Sequence, residues 1–62
     1  MNKFLVWFKN GTTKHFESEK EMLDAINVKE FENVDTITNE FFDNGKYIGE
    51  VDYSVEEYFK NF

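Results

Sequence analysis

Cysteine and proline are both missing from this sequence, glycine occurs three times, and histidine and tryptophan once each. Without cysteine there can be neither a disulfide nor a thiolate metal site. A chain of about 60 residues buries only about 60% of its unfolded surface, and such chains commonly rely on a disulfide, a metal or a partner subunit. Small secreted domains are usually disulfide-stapled, so the absence of cysteine points to a reducing, cytoplasmic setting. Without proline, nothing interrupts a strand or marks a linker, and residues 1–62 read as a single domain.

Long apolar runs are also missing. The longest, Phe4-Leu5-Val6-Trp7-Phe8, follows Lys3 in the manner of a signal peptide but spans only five residues. A signal core needs roughly 7–15, and Lys9-Asn10-Gly11 offers no small-residue cleavage site. Nothing approaches the ~20 residues of a membrane span.

Acids are absent from residues 1–16, where Lys3, Lys9 and Lys14 give a charge of +3. The remaining residues hold all 13 acids against four lysines, a charge of −9. Such a body repels phosphate and anionic membranes and suits a basic protein partner or plain solubility. Glu19, Asp24, Glu56 and Glu57 are the candidate acidic partner surface. Set against this charge are eight Phe, three Tyr and one Trp, a dense aromatic content for a chain with so little interior.

The local signals are clear. Asn10-Gly11 and Asn44-Gly45 each separate two β-like runs, the strongest short-range hairpin signal. Strands are expected over Asn2 to Lys9, Thr12 to Glu17, Val34 to Phe42 and Lys46 to about Tyr53. Ser18-Glu19-Lys20-Glu21 is a capping box opening a helix over about 19–28, with Met22, Leu23, Ala25 and Ile26 at helical spacing. Ser54-Val55-Glu56-Glu57 is a second box, and Val55, Tyr58, Phe59 and Phe62 follow the spacing of a one-sided helix. Tyr53 and Tyr58 sit where a hydrophobic staple would. The expected architecture is an α+β domain of order ββαββα, with two antiparallel hairpins in one sheet, a crossover helix and a short C-terminal helix.

The first strand is apolar on both sides, Phe4, Val6 and Phe8 on one and Leu5 and Trp7 on the other. A sheet covered on one side should alternate apolar with polar. A two-residue first turn pairs Leu5 with Phe16; a three-residue turn pairs Phe4 with Phe16 and Val6 with Lys14. A slip of one residue exchanges the faces. In either register an apolar set is left over, and leaving Leu5 and Trp7 wet forgoes about 3–6 kcal/mol, where a small core supplies ~3–5 kcal/mol in all. Two readings follow. In one, Leu5, Trp7, Tyr58 and Phe62 form an interface with a second copy or another protein; in the other, the C-terminal helix covers part of that face.

Catalytic patterns are missing. A nucleophile needs a base beside it, yet His15 lies in a strand and Ser18 and Ser54 are helix caps. Glu17/Glu19/Glu21, Glu30/Glu32 and Glu56-Glu57 read as solvated faces and helix starts. A domain this small has little room for the ~300 Å³ that ligand sites usually need. Asp43-Asn44-Gly45 fails as a calcium loop, because Phe42 and Val51 would fall on ligand positions. No cofactor or metal is expected, and Gly49 marks a bulge or close approach.

In size, charge and aromatic content the whole chain resembles the short, acidic, cysteine-free proteins of phages and prophages that bind and block host or defence enzymes. The resemblance implies a protein that binds and blocks a larger one; with the surplus apolar face and the acidic body, the expectation is a non-catalytic interaction module, a homodimer that inhibits or regulates a larger protein. Two alternatives stay open: a DNA-mimic inhibitor acting through the acidic surface, and a nucleic-acid-binding module acting through the basic first hairpin.

Overall fold

The two Asn-Gly pairs form different turns, and the difference sets the registers of the sheet. In the computed structural model, which describes residues 1–60, Asn44 and Gly45 both take positive φ, 51° and 80°. This is the two-residue turn whose twist matches that of the strands it joins, here β3 (Val34–Asp43) and β4 (Lys46–Ser54). At the first pair only Gly11 is left-handed, with φ 91°. Its N–H donates to the Phe8 carbonyl at 3.0 Å, while the Phe8 N–H donates to the Thr12 carbonyl at 2.8 Å. Residues 9–11 thus turn the chain from β1 (Asn2–Phe8) to β2 (Thr13–Phe16). The Asn10 carboxamide oxygen accepts from the N–H and hydroxyl of Thr12, at 3.0 and 2.7 Å. The register is therefore the one that sets Phe4 opposite Phe16 and Val6 opposite Lys14.

The four strands form one antiparallel sheet of order β2-β1-β3-β4. Helix α1 (Glu19–Ala25) follows β2, and helix α2 (Val55–Lys60) follows β4. Between α1 and β3 lies a 3-10 helix (Val28–Asn33) that the sequence reading left unassigned. Its cause is Asn27, whose side chain accepts from the N–H groups of Lys29 and Glu30 at 3.0 and 3.2 Å. A cap at Asn27 starts a new turn, so α1 stops at Ala25 rather than running to 28. Both serine caps form, but only the second capping box closes on its own cap residue. Ser18 and Ser54 each accept from the N–H three residues on at 3.1 Å. Glu57 returns a bond to the Ser54 N–H at 3.1 Å, whereas Glu21 reaches one residue further back, to the Glu17 N–H at 2.8 Å.

Both helices lie on the same face of the sheet. Met22 and Ile26 of α1 and Tyr58 of α2 share one core with Phe4, Val6, Val34 and Ile37, flanked by Phe8, Phe16, Phe31, Tyr53 and Val55. The expectation that α2 might cover the opposite face is thus corrected. Tyr58, read from the sequence as an interface residue, is only 8% exposed. Its ring meets Phe4 edge-on at 6.2 Å and Tyr53 at 5.8 Å, the latter completing the staple. Its hydroxyl donates to the Glu19 carboxylate, so this acid is committed to the fold. Phe62 lies outside the described residues. No helix among the described residues is long and apolar enough to cross a membrane.

Burial, and then the bond to Glu19, push the Tyr58 phenol well above its ordinary ionisation range. Removing the bond in Tyr58→Phe should cost about 1.5 kcal/mol at neutral pH, the low end for a bond to a charged partner. Because the folded phenol is the harder to ionise, this contribution is complete below about pH 10 and lost as the pH rises further. Urea unfolding of both proteins at pH 8 and pH 11 should show the gap closing at the higher pH.

A bulge in β4 sets the far side of the sheet. Phe42 faces Tyr47, but Phe41 faces Gly49, so Ile48 is the extra residue. Gly49 takes φ 153°, a region open in practice to glycine alone. No atom stands within 4 Å of the place a Cβ would occupy, so the demand for glycine is purely one of backbone. Gly49→Ala should cost about 1–3 kcal/mol, measurable as a lower urea midpoint.

Candidate functional site

The bulge at Ile48 restores the alternation that places acids on the uncovered face. Beyond it, Glu50 stands opposite Glu40 and Asp52 opposite Thr38, while Thr38 and Glu40 also face Leu5 and Lys3 of β1. A second irregularity, where Phe8 pairs with Val34 after Trp7 has paired with Thr36, turns Val34 into the core and leaves Asp35 outside. The uncovered face thus carries Leu5, Trp7, Phe42 and Tyr47 as apolar bodies, and Lys3, Glu40, Glu50 and Asp52 as charges, with Asp35 at its margin.

Trp7 stands among small residues, opposite Thr13 on β2 and Thr36 on β3, and remains 45% exposed. Its indole N–H donates to the Thr38 hydroxyl at 3.1 Å, and that hydroxyl donates to Asp52 at 2.6 Å. The chain of bonds crosses β1, β3 and β4. Thr38 is 2% exposed, although it lies on the face no helix covers. The hydroxyl thereby holds the indole and the carboxylate that it joins in place. Beside them is a cleft of about 250 Å³ lined by Trp7, Asp35, Thr36, Glu50 and Asp52.

The electrostatics of the face are one-sided. Glu40 and Glu50 are directly opposite each other, a like-charge pairing that destabilises a sheet. Each carboxylate has a local donor, His15 Nε2 at 2.8 Å for Glu40 and the Tyr47 hydroxyl at 2.8 Å for Glu50. The Tyr47 phenol is held above its ordinary range first by that hydrogen bond, then by burial and by the charges of Glu50, Glu40 and Asp52. Lys3 is already engaged, 3.4 Å from Glu17 and 4.9 Å from the centre of the Phe42 ring.

The structure brings together Leu5 and Trp7 but separates them from Tyr58, which lies in the core on the other side. The four acids proposed from sequence as a partner surface lie on the helix side. Glu19 is bonded to Tyr58, Asp24 to Lys20 at 2.8 Å, and Glu57 to the start of α2, where burial is negligible and the bonds from Ser54 lower its carboxyl. Glu56 is exposed on the first turn of α2. The three lysines of the first hairpin do not converge either. Lys3 is on the uncovered face, Lys14 on the helix side opposite Val6, and Lys9 in the turn, its N–H bonded to the Asn33 carbonyl at 2.8 Å.

One expectation about space is overturned. An open groove of about 710 Å³ runs between the helices, lined by Leu23, Ile26, Val28, Phe31, Val55 and Phe59 with Asn27 and Glu32. It exists because the short α1 and the 3-10 helix leave α2 only partly flanked. Its lining is apolar contact surface, with a single carboxylate. No group of three or more His, Asp or Glu among the described residues is arranged to hold a metal ion. Comparison with protein-family models, curated proteins and solved structures gave no match.

Thr38→Val keeps the shape of the side chain while removing both hydrogen bonds. It should cost about 1–3 kcal/mol, because an indole N–H and a carboxylate lose a partner that is shielded from water. The emission of the sole tryptophan should shift to the red as its anchor is lost. An unchanged spectrum would mean that packing alone holds the ring.

Proposed function

We propose that this chain is a cytoplasmic protein-interaction module that acts by binding a larger protein through its uncovered sheet face. The observation that carries the reading is the placement of both helices on one side of the sheet. Leu5 and Trp7 are left on the other side, with no element among the described residues above them. Antiparallel sheets do present one face to water, but that face is ordinarily polar. Here it holds a half-exposed tryptophan, a residue type enriched where binding energy is concentrated. Anchoring through Thr38 spares part of the ordering that binding would otherwise require. Inhibition or regulation of the bound protein is the outcome that fits a module of this size, which adds bulk and charge where it docks.

The test is affinity capture from a lysate of the source cell, with the wild-type chain beside Leu5→Glu and Trp7→Ala. One protein should be retained in stoichiometric amount by the wild type and lost by both variants. Folding of the variants is checked by amide spectra. Retention by both variants would move the contact elsewhere, and the helix-side variant Leu23→Glu, in the groove, would then locate it.

A further inference from the structure

We infer that the occupant of the uncovered face is a cationic protein segment, with an arginine or lysine side chain seated between Trp7 and the carboxylates of Asp35, Glu50 and Asp52. This rests on the reading of that face as protein-binding and names the chemistry of the partner. Charge complementarity carries it. The face and its margin hold Asp35, Glu40, Glu50 and Asp52, while its lysine, Lys3, is occupied by Glu17 and the Phe42 ring. A guest cation beside Glu50 would add to the donors, His15 and Tyr47, that already offset the facing pair of Glu40 and Glu50.

Tryptophan is the best aromatic partner for a cation. The Trp7 N–H is taken up by Thr38, which leaves the π-system as the part of the ring offered to a guest. The cleft of about 250 Å³ falls below the roughly 300–1,000 Å³ of small-molecule sites and is of a scale to admit a single side chain. A second copy on this face would set the same acids against themselves, and nucleic acid would bring phosphate to a carboxylate wall. Both are disfavoured by sign alone.

Titration with a nona-arginine peptide, against a nona-glutamine control, tests the inference with the full chain. The emission of Trp7 should change, and amide shifts should centre on Leu5, Trp7, Thr38 and Asp52, only with the cationic peptide. Glu50→Gln with Asp52→Asn should weaken binding about tenfold, from two exposed charge contacts of up to about 1 kcal/mol each. Asp24→Asn with Glu56→Gln removes equal charge from the helix side and should change affinity by less than about twofold.

Equal weakening by the two double variants, or shifts spread over α1 and α2, would overturn the proposal in favour of diffuse attraction. A dimer in light scattering that Trp7→Ala dissociates would also overturn it, with a second copy as the occupant. Failure here is distinguishable from failure of the broader reading. If the peptide leaves the face untouched while Leu5→Glu and Trp7→Ala still abolish capture, only the cationic occupant falls; if capture is unaffected as well, both readings fall.

Discussion

The phenol of Tyr58, buried against Phe4 and Tyr53 and bonded to Glu19, joins α2 to the first turn of α1 on one side of the sheet. Much of the molecule's asymmetry follows from that contact. Helices as short as these have little stability of their own; they persist because each lays an apolar stripe on the same strands. Once Tyr58 commits α2 to the face that α1 already covers, no residue of the described chain remains to cover the other. The apolar surplus of β1 is then a property of the folded molecule, not an ambiguity of the sequence.

The uncovered face is nevertheless well ordered. An isolated tryptophan on a sheet would sample several rotamers, and fixing it on binding would consume part of the interaction energy. Here the Trp7–Thr38–Asp52 chain already holds it. The same chain turns Asp52 inward over Thr38, so that carboxylate and indole lie together as two walls of one cleft. A threonine does this where a valine would not: its hydroxyl accepts from one neighbour and donates to the other at the same time.

How much of this was legible in the sequence varies with the kind of signal. Turn chemistry and caps are written locally, and residue type and spacing give the hairpins, both serine caps and the Tyr53–Tyr58 staple. The 3-10 helix is not legible in the spacing, because Asn27 falls inside the helical pattern, although its side chain suits a cap equally well. The acids of the face were missed for a different reason. Counting back from the two-residue turn at Asn44-Gly45 without a bulge puts Asp52 opposite Ile37, on the core side. Only an extra residue at Ile48 moves Glu50 and Asp52 to the open face. Gly49 was the visible sign of that bulge, but a glycine alone does not say which way the register shifts. The side taken by α2 was beyond reach, since it depends on a long-range bond between residues 19 and 58.

In the sequence the 13 acids all follow residue 16 as one acidic body, and the fold divides them into two groups. On the helix side the acids serve the chain itself: Glu19 binds a core phenol, Glu21 and Glu57 close helix starts, and Asp24 pairs with Lys20 one turn earlier. Glu19, Glu21 and Glu57 stand in the first turns of their helices, where an acid is favoured, and Asp24 has a lysine one turn away. On the open face the arrangement runs the other way, with Glu40 and Glu50 directly opposed in neighbouring strands. Solubility alone would be met by acids placed anywhere on the exterior, including positions where they do not oppose one another. His15 and Tyr47 each give one of these carboxylates a donor in the free chain, and a cation beside Glu50 would offset the opposition further. That contrast, rather than the total charge, is what distinguishes the face around Trp7 from the rest of the surface.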